Sequence, residues 1–527
     1  MPQEKRLFSS DSEEEDYKPA KKQAGTSKKV ESSEDDSDMS DDVSSSEEEK
    51  KPKKKQPAKK TKEKTKEKKA DVERNAEGDQ IFPLSFKRRV TVKSFPNGGA
   101  AIDIREVYLD QSGEQRPGKG ICLPLDQWKK LTAFLPDIEE AIAALPSKNM
   151  STFDLTKVIR PNILALKPYR CARDDYSTGI LLDANENAYG PALTTEHKGD
   201  LNRYPDPYQP QVKERILKLR GLPSTNNIFL GVGSDEVIDL LIRIACVPSK
   251  DKILITPPTY GMYSVCAQIN DVQVVKSPLN VEDGAYQLDL DNLFASIKAN
   301  PEIKLVYLCS PGNPTGTCLS HDSIRAVLES DYNGLVVVDE AYVDFVDKEE
   351  GSVATWVDQY PNLVVMQTLS KSFGLAGIRI GIAIGHPDLI QILNNTKAPY
   401  NISTPSALIA AEALSEEGIQ TMHDYRKRLI AQRAVMIEKL AKINGTGRVL
   451  GGNDSNFVLV EILDANNKPS NDRALKVYSM MAETLSVVVR FRGMEYGCNG
   501  CLRITVGTEE ENATMLDMLQ KALNEIK

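Results

Sequence analysis

In the stretch TLSKSFGLAGIRIG, residues 368–381, Lys371 stands between two serines and runs into an apolar segment punctuated by glycine. An ammonium group is costly in such surroundings, and desolvation favours its neutral, nucleophilic form. Other reactive groups close neighbouring apolar runs: Asn313 in SPGNPTG, Asp339 and Tyr342 in VVVDEAY, and Ser370 beside the lysine itself. An amine, a carboxylate, a phenol and a carboxamide are the set required for Schiff-base chemistry on a pyridoxal ring. The amine of Lys371 forms the imine, Asp339 pairs with the pyridinium nitrogen, and Tyr342 and Asn313 hydrogen-bond the phenolic oxygen. The phosphate of pyridoxal 5'-phosphate needs donors as well. GVGSDE, residues 231–236, offers backbone amides with Ser234 and Asp235 at a helix start, Ser370 adds a hydroxyl, and Arg379 adds a bidentate cation. An aspartate after an apolar run is often a helix cap, and GVGSDE alone reads equally as a plain helix start; the joint order of these groups carries the chemistry.

The elements that must position them are short apolar runs alternating with helical patterns. ILITPP, KLVYLCS, GLVVVDE and NLVVMQTLS read as parallel strands of a buried α/β sheet. Polar or conformationally special residues follow each run at its carboxyl end, where open α/β sheets hold their ligands.

The order of motifs from about Phe153 onward resembles the fold-type I aminotransferases that use pyridoxal phosphate, and within them the histidinol-phosphate aminotransferase family. PYRCARDD, LLDANENAYGP, NRYPDP, GVGSDE, PPTYGMYSV, SPGNPTG, VVDEAYVDF, TLSKSFGLAGIRIG, APYNIS and GCLRITVGT carry the resemblance. It implies a mixed, mostly parallel sheet in a large domain of about residues 185–400. A smaller C-terminal α/β domain would be built from the N-terminal arm and about residues 401–527. It further implies a homodimer in which Tyr260 stacks on the cofactor ring and Tyr204 reaches the cofactor phosphate of the other subunit. Arg490, Arg503, Tyr169 and Asn401 would bind substrate. The same arginines would grip the phosphate of histidinol phosphate and, in the second half-reaction, a carboxylate of glutamate or 2-oxoglutarate.

The chain has 527 residues, too many for one ordinary core, and its composition is uneven. Residues 1–78 are a Ser/acidic and Lys-rich tail that cannot bury enough apolar surface to order itself, and it reads as disordered. Its charges are segregated: residues 50–69 hold 12 Lys against 2 Glu, although residues 1–75 hold 20 basic and 20 acidic side chains. Serines among the acids are candidate phosphorylation sites. The lysine run reads either as a solvated tail or as a nuclear-localisation or nucleic-acid patch.

Residues 79–148 read as a small α+β domain, an antiparallel sheet followed by one helix. RRVTVKSF and AAIDIREVYL alternate about the turn PNGG, QSGEQRPGKG reads as a second turn, and LPLDQWKKLTAFLPDIEEAIAAL has helical spacing. Arg88, Lys93, Arg105, Arg116 and Lys119 supply cations near the rings of Phe95 and Tyr108. This is what a single-stranded nucleic-acid groove needs, although basic strand faces are common. IDIREVYLDQSGEQRPGKGICLPLDQWKKL resembles the eukaryotic transcriptional positive-coactivator family. That resemblance implies dimerisation through the helix, single-stranded-DNA binding on the sheet, and contact with the transcription machinery. Tyr108 stands where the family usually has Trp, and RPGKG is one residue shorter than usual.

Neither a membrane-spanning apolar run nor a signal-peptide pattern is present, so an intracellular protein is expected: cytoplasmic for the enzyme, nuclear if the tail and small domain act as an address. CNGC, residues 498–501, is the only close cysteine pair and lacks the second pair a metal site would need. The formal charge of −9 falls on residues 149–527, where 46 acidic residues outnumber 37 basic ones, so DNA contact is expected only from the small domain and tail. Competing readings are a sibling fold-type I aminotransferase or decarboxylase, and a coactivator carrying an enzyme passenger. Met150 stands where an independent enzyme would begin, which admits a shorter separate product or two joined reading frames.

Overall fold

The computed structural model describes residues 79–85, 88–94, 99–109, 115–138, 153–167, 180–195, 199–347 and 351–526. The tail, Phe95, Tyr169 and the junction around Met150 lie outside them. The chain divides into two units between Ala133 and Phe134. No helix among the described residues is long and apolar enough to cross a membrane.

In the first unit, four antiparallel strands lie in sequence order, β1 (Gln80–Ser85), β2 (Arg88–Ser94), β3 (Ala100–Leu109) and β4 (Gln115–Pro124), followed by the helix Leu125–Ala133. Alternation places β2 and β3 on either side of PNGG, as the sequence requires. RPGKG is strand rather than turn, because β4 is an edge strand that tolerates Pro117 and takes up the extra residue as a bulge opposite Arg105–Val107. Gly120 lies opposite Arg105, and a Cβ there would stand 2.2 Å from the Arg105 Cβ.

The second unit is built on a seven-stranded sheet ordered β5-β11-β10-β9-β8-β6-β7. Its strands are β5 (Ile228–Val232), β6 (Lys252–Ile255), β7 (Gln273–Lys276), β8 (Ile303–Cys309), β9 (Leu335–Asp339), β10 (Leu363–Thr368) and β11 (Ile380–Gly385). β7, β6, β8, β9 and β10 run parallel, while β11 is antiparallel to both β10 and β5. The strands read as continuous apolar runs because the sheet is covered on both faces. Val336 and Val338 enter one core, and Leu335 and Val337 enter the other.

A second, antiparallel sheet is ordered β12-β13-β15-β14, with β12 (Thr446–Leu450), β13 (Phe457–Ile462), β14 (Arg490–Phe491) and β15 (Cys501–Thr505). Val458, Val460, Leu502 and Ile504 pack on the helices Glu416–Leu440, Asn471–Glu483 and Glu509–Glu525. Alternation turns Phe457 and Arg503 to the other face, where they meet the large sheet's carboxyl ends.

Candidate functional site

Parallel pairing sets β9 beside β10, so the ends of two runs distant in sequence meet at one rim. Asp339 is the last residue of β9 and is 3 % exposed. It accepts from Tyr263 Oη at 2.6 Å and from the Ala341 amide at 3.1 Å. Burial pushes its carboxyl above the ordinary range, and those two donors oppose the shift. Lys371 follows β10, with its Nζ 5.6 Å from the centroid of the Tyr342 ring. Desolvation of the ammonium lowers its pKa, helped by the positive charges of Arg503 and Arg379 and opposed by Asp339. The residue as a whole is exposed at the rim. Ser372, next in the chain, donates to Asp344, which pairs with Arg220 at 2.8 Å, so the lysine loop is anchored from beneath.

Tyr342 is buried edge-on to Phe457, and burial raises its phenol to about 12. Asn313 is buried and accepts from Arg503 Nη1. Arg503 lies over the Phe457 ring at 5.3 Å, and burial lowers its pKa.

Beside this rim, Gly233 opens the helix Gly233–Ala245 with φ +72°, a conformation that glycine adopts without penalty. A Cβ at Gly233 would lie 2.3 Å from Arg379 Nη2, so the bare backbone lets the guanidinium approach the helix start. Arg379 is held there by Asp235 at 3.1 Å, and Asp235 also accepts from Tyr260 Oη at 3.3 Å. Ser234 is the next residue of the same helix turn, and Ser370 is held by Thr368 Oγ1 at 2.9 Å. These groups form an anion cradle of amides, hydroxyls and one guanidinium. Thr259, adjacent to Tyr260, keeps a buried Oγ1 without a hydrogen-bond partner. The cradle, that orphan hydroxyl and a buried carboxylate hydrogen-bonded by the uncharged donors Tyr263 and Ala341 fit a phosphorylated, nitrogen-protonated ring. The residues therefore suit the cofactor expected from the sequence.

Lys371, Asp339, Tyr342, Asn313, Ser370, Arg379, Ser234, Asp235, Tyr260 and Arg503 thus converge. Arg490 is paired in register with Arg503 across β14 and β15. Asn401 is engaged in structure: its amide donates to Leu230 O and Glu236, each at 3.0 Å, and its Oδ1 accepts from Lys397 at 3.0 Å. Burial lowers Lys397 to about 8. Tyr204 stands apart, 52 % exposed and stacked on Tyr400 at 4.7 Å. Sequence reasoning missed Tyr263, three residues beyond Tyr260 on the helix Met262–Ile269, and Asp344 in VVDEAYVDF. It also missed Arg492, whose signal was the alternation R-F-R. Cys498 and Cys501 are buried free thiols, and burial raises Cys498 to about 12.

In the first unit, register puts Arg89, Lys93, Asp103 and Arg105 on one face of the sheet. Asp103, 1 % exposed, takes two hydrogen bonds from Arg105 at 2.6 and 2.7 Å and an ion pair from Lys93 at 3.1 Å. Its pKa falls below the ordinary value: burial raises it, but these two cations outweigh burial. Lys119 is exposed on β4. Arg88 lies in β2, while Tyr108 and Arg116 are cross-strand partners in backbone register.

Residues 177–519 match the family Aminotransferase class I and II, and residues 82–134 match Transcriptional Coactivator p15 (PC4). Histidinol-phosphate aminotransferase of Candida maltosa is 51 % identical over 390 residues, covering 71 % of this chain and 99 % of the relative. That of Saccharomyces cerevisiae is 47 % identical over 384 residues, covering 70 % and 98 %. The solved histidinol-phosphate aminotransferase of Sinorhizobium meliloti in complex with pyridoxal-5'-phosphate has the same fold, with TM-score 0.57 and 22 % identity over 65 % of this chain and 90 % of that one. A decarboxylase from Sulfurospirillum multivorans aligns with TM-score 0.54 and 26 % identity over 62 % and 81 %.

Proposed function

Because the chain belongs to the aminotransferase class I and II family, among its histidinol-phosphate aminotransferases, we propose that its second unit exchanges an amino group between histidinol phosphate and 2-oxoglutarate on pyridoxal 5'-phosphate, a step of histidine synthesis. When bound, this cofactor supplies an electron sink that stabilises negative charge at the substrate α-carbon. Lys371 would hold it covalently until the substrate amine takes its place, and the freed Nζ would then carry the proton from the substrate α-carbon to the carbon attached to the ring. The lowered pKa of Lys371 keeps more of the amine neutral at a given pH, which favours both roles. Asp339 provides a buried negative charge for the ring nitrogen, and Tyr342 and Asn313 orient the phenolic side. Tyr260 covers the ring, while Ser234, the Asp235 backbone amide, Ser370 and Arg379 hold the phosphate end, with the Asp235 carboxylate fixing Arg379 and Tyr260. Arg503 and Arg490 take the anionic end of either substrate, with Tyr169 and Asn401 at its border. The observation that carries this reading is the meeting of Lys371, buried Asp339 and the Arg379–Gly233 cradle at one sheet rim.

A homodimer belongs to this reading, and the arm supports it. Ile180, Leu182, Tyr189 and Tyr204 are exposed large side chains among the polar residues of 180–204, and a second copy would cover them while bringing Tyr204 to its cradle. The first unit binds single-stranded DNA through Arg88, Lys93, Arg105, Arg116 and Lys119, with Phe95 and Tyr108 as stacking rings. The basic face built around Asp103 supports this, and nuclear residence and contact with transcription machinery go with it.

The enzyme reading is tested by following the purified full chain with histidinol phosphate, other phosphorylated amines and amino acids, and aromatic amino acids. Rapid formation of glutamate from 2-oxoglutarate with histidinol phosphate alone is expected. Release of carbon dioxide from a phosphorylated amino acid, without amino transfer, would establish a decarboxylase instead.

A further inference from the structure

β14 ends at Phe491, but its ladder continues for one more hydrogen bond, from the Arg492 amide to Cys501 O at 2.9 Å. Arg490 is paired with Arg503, so the two-residue period brings Arg492 to the same side of the ribbon. Three guanidinium groups therefore share one face. Arg492 Nη1 pairs with Glu495 at 3.1 Å, both side chains being about a quarter exposed (26 % and 27 %). Its Nε is buried without a hydrogen-bond partner. Arg492 is also close enough to Arg503 and Tyr342 for its positive charge to lower the pKa of each. Glu495, whose carboxyl burial raises, is the acid that faces this group.

We propose that Arg492 is a third anion-binding guanidinium of the substrate site, and that its pairing with Glu495 lets one site distinguish a phosphate dianion from a carboxylate monoanion. The inference rests on the reading of Arg503 and Arg490 as the substrate's anion grip. A second guanidinium close to Arg503 adds positive charge where a phosphate dianion carries more negative charge than a carboxylate. A carboxylate needs one planar fork, which Arg503 supplies, so Arg492 stays with Glu495 when glutamate is bound. A phosphate has a further oxygen to offer, and the unpartnered Nε of Arg492 is the donor that remains.

The test compares the two half-reactions of the full-length, cofactor-loaded chain at pH 8, where phosphate is dianionic, following cofactor absorbance under single-turnover conditions. Arg492→Gln is expected to lower the apparent affinity for histidinol phosphate by about 10- to 100-fold, the size of a lost charged hydrogen bond, and that for glutamate by less than about 3-fold. Inorganic phosphate, used as a competing anion, should lose affinity in parallel with histidinol phosphate. Arg492→Lys should recover part of the loss. Glu495→Gln should move the phosphate-to-glutamate preference the opposite way, and it serves where Arg492→Gln folds poorly. Equal losses for both substrates, an unchanged phosphate half-reaction, or a Glu495→Gln preference that is unmoved or moves with that of Arg492→Gln would overturn the proposal. Arg503→Ala separates the two levels. If it leaves both half-reactions intact, the anion-grip reading itself fails; if it cripples both while Arg492→Gln leaves the preference unmoved, only the role of Arg492 falls.

Discussion

Replacing Tyr263 with Phe removes one oxygen from the interior and nothing else. The ring keeps its stack on Tyr307, whose centroid lies 4.6 Å away, and its edge contact with Tyr260 at 5.7 Å. Asp339 loses its 2.6 Å hydrogen bond and retains the Ala341 amide as its donor. A hydrogen bond to a charged group contributes about 1.5–3 kcal/mol, equivalent to roughly 1–2 pKa units. The sign follows from the causes: burial already raises the Asp339 carboxyl, and Tyr263 is the largest influence lowering it, so its loss raises the carboxyl further. The working form is the carboxylate, and activity is lost as pH falls through its pKa. The acid limb of kcat/KM should therefore shift upward by about 1–2 pH units in Tyr263→Phe, while the alkaline limb stays in place. Retention of pyridoxal phosphate on dialysis near neutral pH should weaken in step. An acid limb that stays put, or moves to lower pH, would show that Asp339 does not depend on Tyr263 and would remove Tyr263 from the site.

Lys371→Ala should abolish the visible absorbance of the lysine-bound cofactor and reduce amino transfer by several orders of magnitude, because nucleophile and proton carrier are lost together; an unchanged spectrum would take Lys371 out of its role. Phe95→Ala combined with Tyr108→Ala should weaken single-stranded-DNA binding by about 1–3 kcal/mol for each stacked base lost and leave amino transfer unchanged. Binding that survives in a filter or anisotropy assay would assign the DNA site to the lysine tail. Residues 150–527 expressed alone should form a soluble, active dimer, since fungal relatives are matched over 98–99 % of their length by about 70 % of this chain. An insoluble or inactive fragment would refute that autonomy.

The sheet was legible because its strands are covered on both faces: LVVVD is apolar up to Asp339, and LVVMQT opens with four apolar residues before the buried Gln367 and Thr368. Lys371, Asp339 and Arg379 stood out for the same reason, as charged or polar groups at the end of apolar runs. Their supporting partners did not. Tyr263 is 76 residues from Asp339 and Arg220 is 124 from Asp344, and a tyrosine among apolar neighbours reads as core until its hydroxyl is placed. Asp103 reads from alternation as one more polar strand residue, although register buries it between two cations. RPGKG misled because proline and glycine signal a turn in isolation, while an edge strand with a bulge accepts both.

A common electrostatic device links the two units. In each, a candidate anion-binding cation is already engaged by an acidic or carbonyl oxygen of the protein: Lys93 and Arg105 by Asp103, Arg379 by Asp235, Arg503 by Asn313, and Arg492 by Glu495. An unpaired guanidinium in a half-buried site would be costly, and a long side chain left free would lose entropy on binding. Holding it in place on a protein oxygen reduces both costs, but an incoming anion must then share or displace that oxygen. The outcome depends on how firmly the internal acid is held. Asp103 is 1 % exposed and cannot move aside, so it fixes the direction of its cations and leaves their outer edges to bind. Glu495 is about a quarter exposed and can turn to water, releasing Arg492 when a dianion arrives. One internal acid thus orients its cations, and the other sets a charge threshold for the ligand.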